Sequence, residues 1–113
     1  MASVLVTMKR YGKLVRDRIP EMIQRAGKTA TWRQLRDDEF RLALKAKARE
    51  EAQELFDADD DALLSELADL EEVVQAILTT YGYSREELEM VRAKKNEDRG
   101  VFTHRLFLES VSD

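Results

Sequence analysis

Apolar side chains recur every three or four residues along two uninterrupted stretches, Phe40 to Phe56 and Ala62 to Tyr81, neither of which contains Gly or Pro. That spacing, in a composition dominated by Ala, Leu, Glu and Lys, predicts two amphipathic helices. Asp37 or Asp38 is the expected cap of the first. Upstream, Leu14, Val15, Ile19, Met22 and Ile23 make the apolar side of a shorter helix, with Pro20 in its first turn and Gly27 stopping it after about Ala26. Downstream, Gly82 suits a helix stop, and Ser84-Arg85-Glu86-Glu87 is a capping box for a fourth helix that carries Leu88, Val91 and Lys95 and ends at Gly100. Two segments, 29–35 and 101–108, have strand-like composition and are candidates for a short two-stranded sheet. Met1 to Tyr11 reads as either a short strand or a loose arm. The pattern predicts a mainly α chain.

Some polar positions fall where apolar ones belong. At about 100° per residue, Glu51 lies on the stripe of Phe40, Leu44, Lys47 and Leu55. Glu66 falls between Val73 and Ile77, beside Leu63, Leu67, Leu70 and Val74, with Asp69 at the border. Glu54 shares a face with Glu51, and Asp69 with Glu66. A desolvated carboxylate has to be neutralised by a proton, a basic partner or a cation. Two facing helices that each supply such a pair would form an all-oxygen site suited to Mg²⁺ or Mn²⁺. The alternative is a solvated charged face, with the acids paired to Lys47 and Arg49 at helical spacing.

Length and composition narrow the classes. The 113 residues are expected to form a single domain, 1–113. Without cysteine, disulfides and thiolate metal sites are excluded. Charged residues make up 37% of the chain with a net charge of only −4, so no basic field gathers nucleic acid. The apolar patch at Met1 to Met8 is too short for a membrane span and has no basic leader, so a soluble, cytoplasmic protein without membrane association is expected. The turn Asp57-Ala58-Asp59-Asp60-Asp61 invites a calcium reading, but Ala62 and Ala68 stand where an EF-hand loop needs Gly and Glu. Its acids are expected instead to cap the following helix. Trp32, the single tryptophan, is expected as a core or interface anchor, and His104, the single histidine, has no imidazole partner for a metal pair.

The acidic pattern, Glu50-Glu51-x-x-Glu54 and Glu66-x-x-Asp69, resembles the signature of the all-α nucleoside triphosphate pyrophosphohydrolases, the MazG-like superfamily. Its flanks, Tyr11-Gly12-Lys13-Leu14-Val15-Arg16-Asp17-Arg18-Ile19-Pro20 and Lys95-x-x-x-Arg99-Gly100-x-Phe102, look like the ends of the predicted house-cleaning subgroup related to phosphoribosyl-ATP pyrophosphohydrolase. The resemblance runs from about Tyr11 to Leu108. It departs from the family in a short turn between Glu54 and Glu66, and in Val101 where a second Gly is common.

The resemblance implies a four-helix MazG-like bundle. It also implies cleavage of a nucleoside triphosphate between the α- and β-phosphates, giving a nucleoside monophosphate and pyrophosphate. Glu51, Glu54, Glu66 and Asp69 would be Mg²⁺ ligands (Mn²⁺ serving as well), and Glu50 would take a second metal or orient the attacking water. Lys13, Arg16, Lys95 and Arg99 would contact phosphate. Family members assemble from paired helical protomers, which implies a homodimer or a dimer of dimers. Phosphoribosyl-ATP pyrophosphohydrolase is the alternative within the same chemistry, and a helical interaction module with merely solvated acids is the alternative outside it.

Overall fold

The computed structural model describes residues 12–113, which contain four α-helices and no β-strand: α1 (Ile19–Arg25), α2 (Asp37–Asp57), α3 (Leu63–Tyr81) and α4 (Arg85–Arg99). The segment 1–11, expected as strand or arm, lies outside the described residues. The chain divides into two units, one through Ile77 and one from Leu78 to Asp113.

In the first unit, α1 starts with Pro20 in its first turn. Lys28 N–H donates to Ile23 O at 3.2 Å and Gly27 N–H to Gln24 O at 3.0 Å. This reversal requires a left-handed residue, which Gly27 supplies at φ +81°. The cap of α2 is Arg36 rather than Asp37 or Asp38. The Glu39 carboxylate accepts the Arg36 N–H at 3.2 Å, so both aspartates enter the first turn, where their charge complements the helix dipole.

The side chains of α2 that are at least half covered, among them Phe40, Leu44, Lys47, Ala48, Glu51 and Leu55, trace one stripe. A short link and one 3-10 turn (Asp60–Ala62) then return the chain into α3. Asp59 closes that turn through its carbonyl, which accepts Ala62 N–H at 3.0 Å, and its side chain makes no capping bond. Asp59 is therefore not a side-chain cap, while Asp60 and Asp61 stand in the first turn of the 3-10 helix, where their charge complements its dipole.

In the second unit, Gly82 at φ +75° ends α3, and Tyr83 N–H donates to Leu78 O at 2.9 Å. The expected capping box opens α4. Ser84 Oγ accepts Glu87 N–H at 3.0 Å, while the Glu87 carboxylate accepts Ser84 N–H at 3.1 Å.

The two-stranded sheet expected from 29–35 and 101–108 does not form. Within the later segment Arg105 N–H donates to Phe102 O at 3.2 Å, with Arg105 in the left-handed region at φ 57°. That turn breaks the extended run a ladder would need. Trp32 is 59% exposed and so does not fill the core. Among the described residues the buried apolar side chains are Leu44, Val73 and Leu78, a small core beside many exposed large apolar groups. No helix of the described residues is long and apolar enough to cross a membrane.

Candidate metal centre

The stripe of α2 brings an acid inward where its phase requires one. Glu51 is 7% exposed, the one buried charged residue among those described. Single carboxylate oxygens of Glu50, Glu51 and Glu54 lie within 4.8 Å of one another, and so do those of Glu51, Glu66 and Asp69. Glu51 belongs to both groups and joins them, so the structure gathers all five acids singled out in the sequence at one place on α2 and α3.

Three cations enter the same place. Lys47, one turn before Glu51, has a side chain only 15% exposed, with Nζ 3.3 Å from Glu50 Oε2 and 3.3 Å from Glu51 Oε1. The segment before α1 supplies the other two: Lys13 Nζ donates to Glu50 Oε1 at 2.9 Å, and Arg16 donates to Asp69 Oδ1 at 2.8 Å. These two cations, expected at phosphate, thus sit on the carboxylates themselves. Lys47 is the participant the acidic motif does not name. Its spacing of four from Glu51 is the signal that finds it.

The titration shifts follow from this crowding. The Lys13 hydrogen bond, helped by Lys47 and opposed by burial, holds the Glu50 carboxyl below its ordinary range. The same bond raises Lys13. Glu54 is pushed up, first by the hydrogen-bonding approach of Glu51, then by burial and the charges of Glu51, Glu66 and Glu50. Glu51 Oε2 and Glu66 Oε2 are both buried without a hydrogen-bond partner. Taken formally, the five carboxylates and three cations carry a charge of −2.

Lys95 and Arg99 lie on α4 in the second unit, both exposed. Arg99 borders a surface hollow formed with the 100–106 segment, including His104 and Arg105.

A curated protein from Mycolicibacterium smegmatis, described as an uncharacterized protein, is 55% identical over 47 residues. The match takes in 42% of this chain and 48% of that relative, so the chain spans about half the relative's length. No protein-family model and no solved structure matches the chain.

Proposed function

We propose that this chain is a divalent-cation-dependent nucleoside triphosphate pyrophosphohydrolase with the MazG-like bundle its motifs resemble, acting in the cytoplasm on non-standard nucleotides. The observation that carries the proposal is the pair of orphaned oxygens. Glu51 Oε2 and Glu66 Oε2 are buried with no donor in a cluster of formal charge −2. An unpaired buried acceptor costs roughly 1–3 kcal/mol, and more when charged. An all-oxygen donor set that lacks the charge of one divalent cation fits Mg²⁺ or Mn²⁺, and the absence of cysteine and of a histidine pair argues against softer metals.

Glu51, Glu54, Glu66 and Asp69 would hold the cation. Bound there, it would supply the charge that lets a polyanion approach five carboxylates and would acidify a water. In the reaction, water cleaves the anhydride between the α- and β-phosphates, and its proton passes to solvent as nucleoside monophosphate and pyrophosphate are released. Glu50, with a cation on each oxygen and its carboxyl held low, is suited to orient the water rather than to take its proton. Lys13 and Arg16, which have donors to spare, would meet substrate phosphate from their places on the carboxylates, and Lys95 and Arg99, by the resemblance, would neutralise the leaving group. A homodimer, or a dimer of dimers, is the assembly this reading carries with it, because four helices from one chain do not easily cover both a cation and a base.

One observation favours a second reading. Lys13, Arg16 and Lys47 already compensate three of the five acids, as they would in an ion-paired helical scaffold with no catalytic role.

A pyrophosphate-release screen decides between them. It runs over standard and damaged nucleoside triphosphates and phosphoribosyl-ATP, with Mg²⁺ and with Mn²⁺, on wild type and Glu66→Gln. The hydrolase reading expects turnover that needs the cation and falls at least about a hundredfold in the variant, as when a group acting directly on the reacting centre is removed. Absence of turnover across the panel, or equal turnover by Glu66→Gln, rejects it.

A further inference from the structure

Lys47 stands where the stripe of α2 calls for an apolar residue, in line with Phe40, Leu44 and Leu55. Its side chain is only 15% exposed. A lysine is seldom covered to that degree unless its charge is paired. An ordinary helical Lys–Glu pair lies in solvent and contributes little, so it gives no reason for the burial. The reason is to be sought in the cluster that the ammonium enters.

The five acids form two triads that share Glu51, and the basic residues are divided between them unequally. In the triad of Glu50, Glu51 and Glu54, both oxygens of Glu50 are taken. Lys13 Nζ lies 2.9 Å from Oε1 and Lys47 Nζ 3.3 Å from Oε2. The same Lys47 ammonium lies 3.3 Å from Glu51 Oε1. In the triad of Glu51, Glu66 and Asp69, Arg16 donates to Asp69 Oδ1 at 2.8 Å. The two orphaned oxygens, Glu51 Oε2 and Glu66 Oε2, are on members of this second triad. Glu51 is 7% exposed, and its carboxylate is thus divided, one oxygen on an ammonium and the other left bare.

We infer that Lys47 takes the place of a second metal ion: its ammonium fills the Glu50 side of the cluster, so the protein without nucleotide binds a single divalent cation on the Glu66–Asp69 side, and Glu50 is not one of its ligands. This rests on the cation-dependent reading above and adds to it the number of cations and the residue that limits it. Charge supports the count. Three basic residues against five carboxylates leave −2, which one divalent ion cancels and a second would reverse. Geometry supports it as well. A Mg²⁺ ion needs its oxygens at about 2.0–2.1 Å in near-octahedral array, so an ion on Glu50 Oε2 would be brought against the like charge of an ammonium 3.3 Å from that atom. Lys47 acts through Glu51 as a positioning residue, engaging Oε1 and leaving Oε2 for the cation.

Mn²⁺ binding without nucleotide is the test, counted by isothermal titration and observed by electron paramagnetic resonance. Wild type should take one Mn²⁺ per chain and give the spectrum of an isolated ion. Lys47→Met, which keeps the apolar stem and removes the charge, should take a second, and two ions sharing carboxylates should give a spin-coupled spectrum. Lys47→Arg keeps the charge and should return the count to one. Lys47→Met combined with Glu50→Gln should also return it to one, because the second ion needs Glu50. Circular dichroism checks that each variant is helical. Two coupled ions on wild type overturn the inference without recourse to any variant, and so does a folded Lys47→Met that still binds one. Either result leaves the cation-dependent reading standing, whereas a wild type that binds no Mn²⁺ rejects that reading and this inference together.

Discussion

Glu54→Gln tests the crowding of the acidic cluster with the least disturbance of shape. One oxygen of Glu54 lies within 4.8 Å of oxygens of Glu50 and Glu51. At that separation two unit charges repel by roughly 3.5 kcal/mol at an effective dielectric of about 20, and by roughly 0.9 kcal/mol in bulk water. Glu54 is exposed, so the screened figure applies, and its two pairs give about 1–2 kcal/mol. The substitution should therefore stabilise the metal-free protein by that amount.

The sign agrees with the titration shift. Glu54 is raised, so the folded state holds its proton more tightly than the unfolded state does, and stability falls as pH climbs through the folded value. The gain should be largest near neutral pH and vanish in acid, where wild-type Glu54 is itself uncharged. Cation binding reverses the order. At a concentration one hundred times its dissociation constant, Mg²⁺ adds about 2.7 kcal/mol to a protein that binds it only when folded, and the variant, lacking a ligand charge, should gain less. For a domain of about 100 residues each kcal/mol moves Tm by about 4–8 °C. Calorimetric melting in chelator and in Mg²⁺, from about pH 5 to about pH 8, reads all of this. A variant no more stable than wild type in chelator, or an equal Mg²⁺ shift in both proteins, refutes the reasoning.

Two other substitutions probe the charges around the site and at the head of α2. Lys47→Met keeps the buried stem but leaves Glu51 without its cation, so the denaturant midpoint should drop by the equivalent of about 3 kcal/mol, the lower end for breaking a buried pair. Mg²⁺ should restore part of that loss, and an unchanged midpoint would mean that Glu51 is not held as an anion. Glu39 is kept below its ordinary range by two Arg33 hydrogen bonds, at 3.2 and 2.9 Å, and by the Arg36 N–H. A depressed carboxyl stabilises above its unfolded value, and the contribution is lost as pH falls through the folded one. Glu39→Gln should accordingly be less stable near neutral pH and match wild type in acid titrations followed by circular dichroism. A difference that persists at low pH would point to packing instead of charge.

Much of this molecule is legible because its signals are local. Ser84 with Glu87 and the lone Gly82 mark a helix start and stop within a few residues, and α4 and the end of α3 follow them. The inward turn of Glu51 is likewise a property of one helix, since phase along α2 is set by the residue count alone. The Asp37 or Asp38 cap failed for a similarly short-range reason: two neighbouring acids compete for one position, and the Glu39 bond to Arg36 N–H shifts the start. The sheet failed because pairing of 29–35 with 101–108 depends on contacts far apart in sequence, and the local turn ending at Arg105 prevailed over strand composition.

From the order of its residues alone, then, the chain determines where its helices lie and which acids their faces share. Only the tertiary structure decides what meets those acids. Lys13 reaches Glu50 across 37 residues and Arg16 reaches Asp69 across 53, distances over which no periodicity carries information. The two orphaned oxygens are a consequence of the same packing, because whether a carboxylate is buried, paired or bare depends on which helix lies against it and not on the residues beside it in the chain.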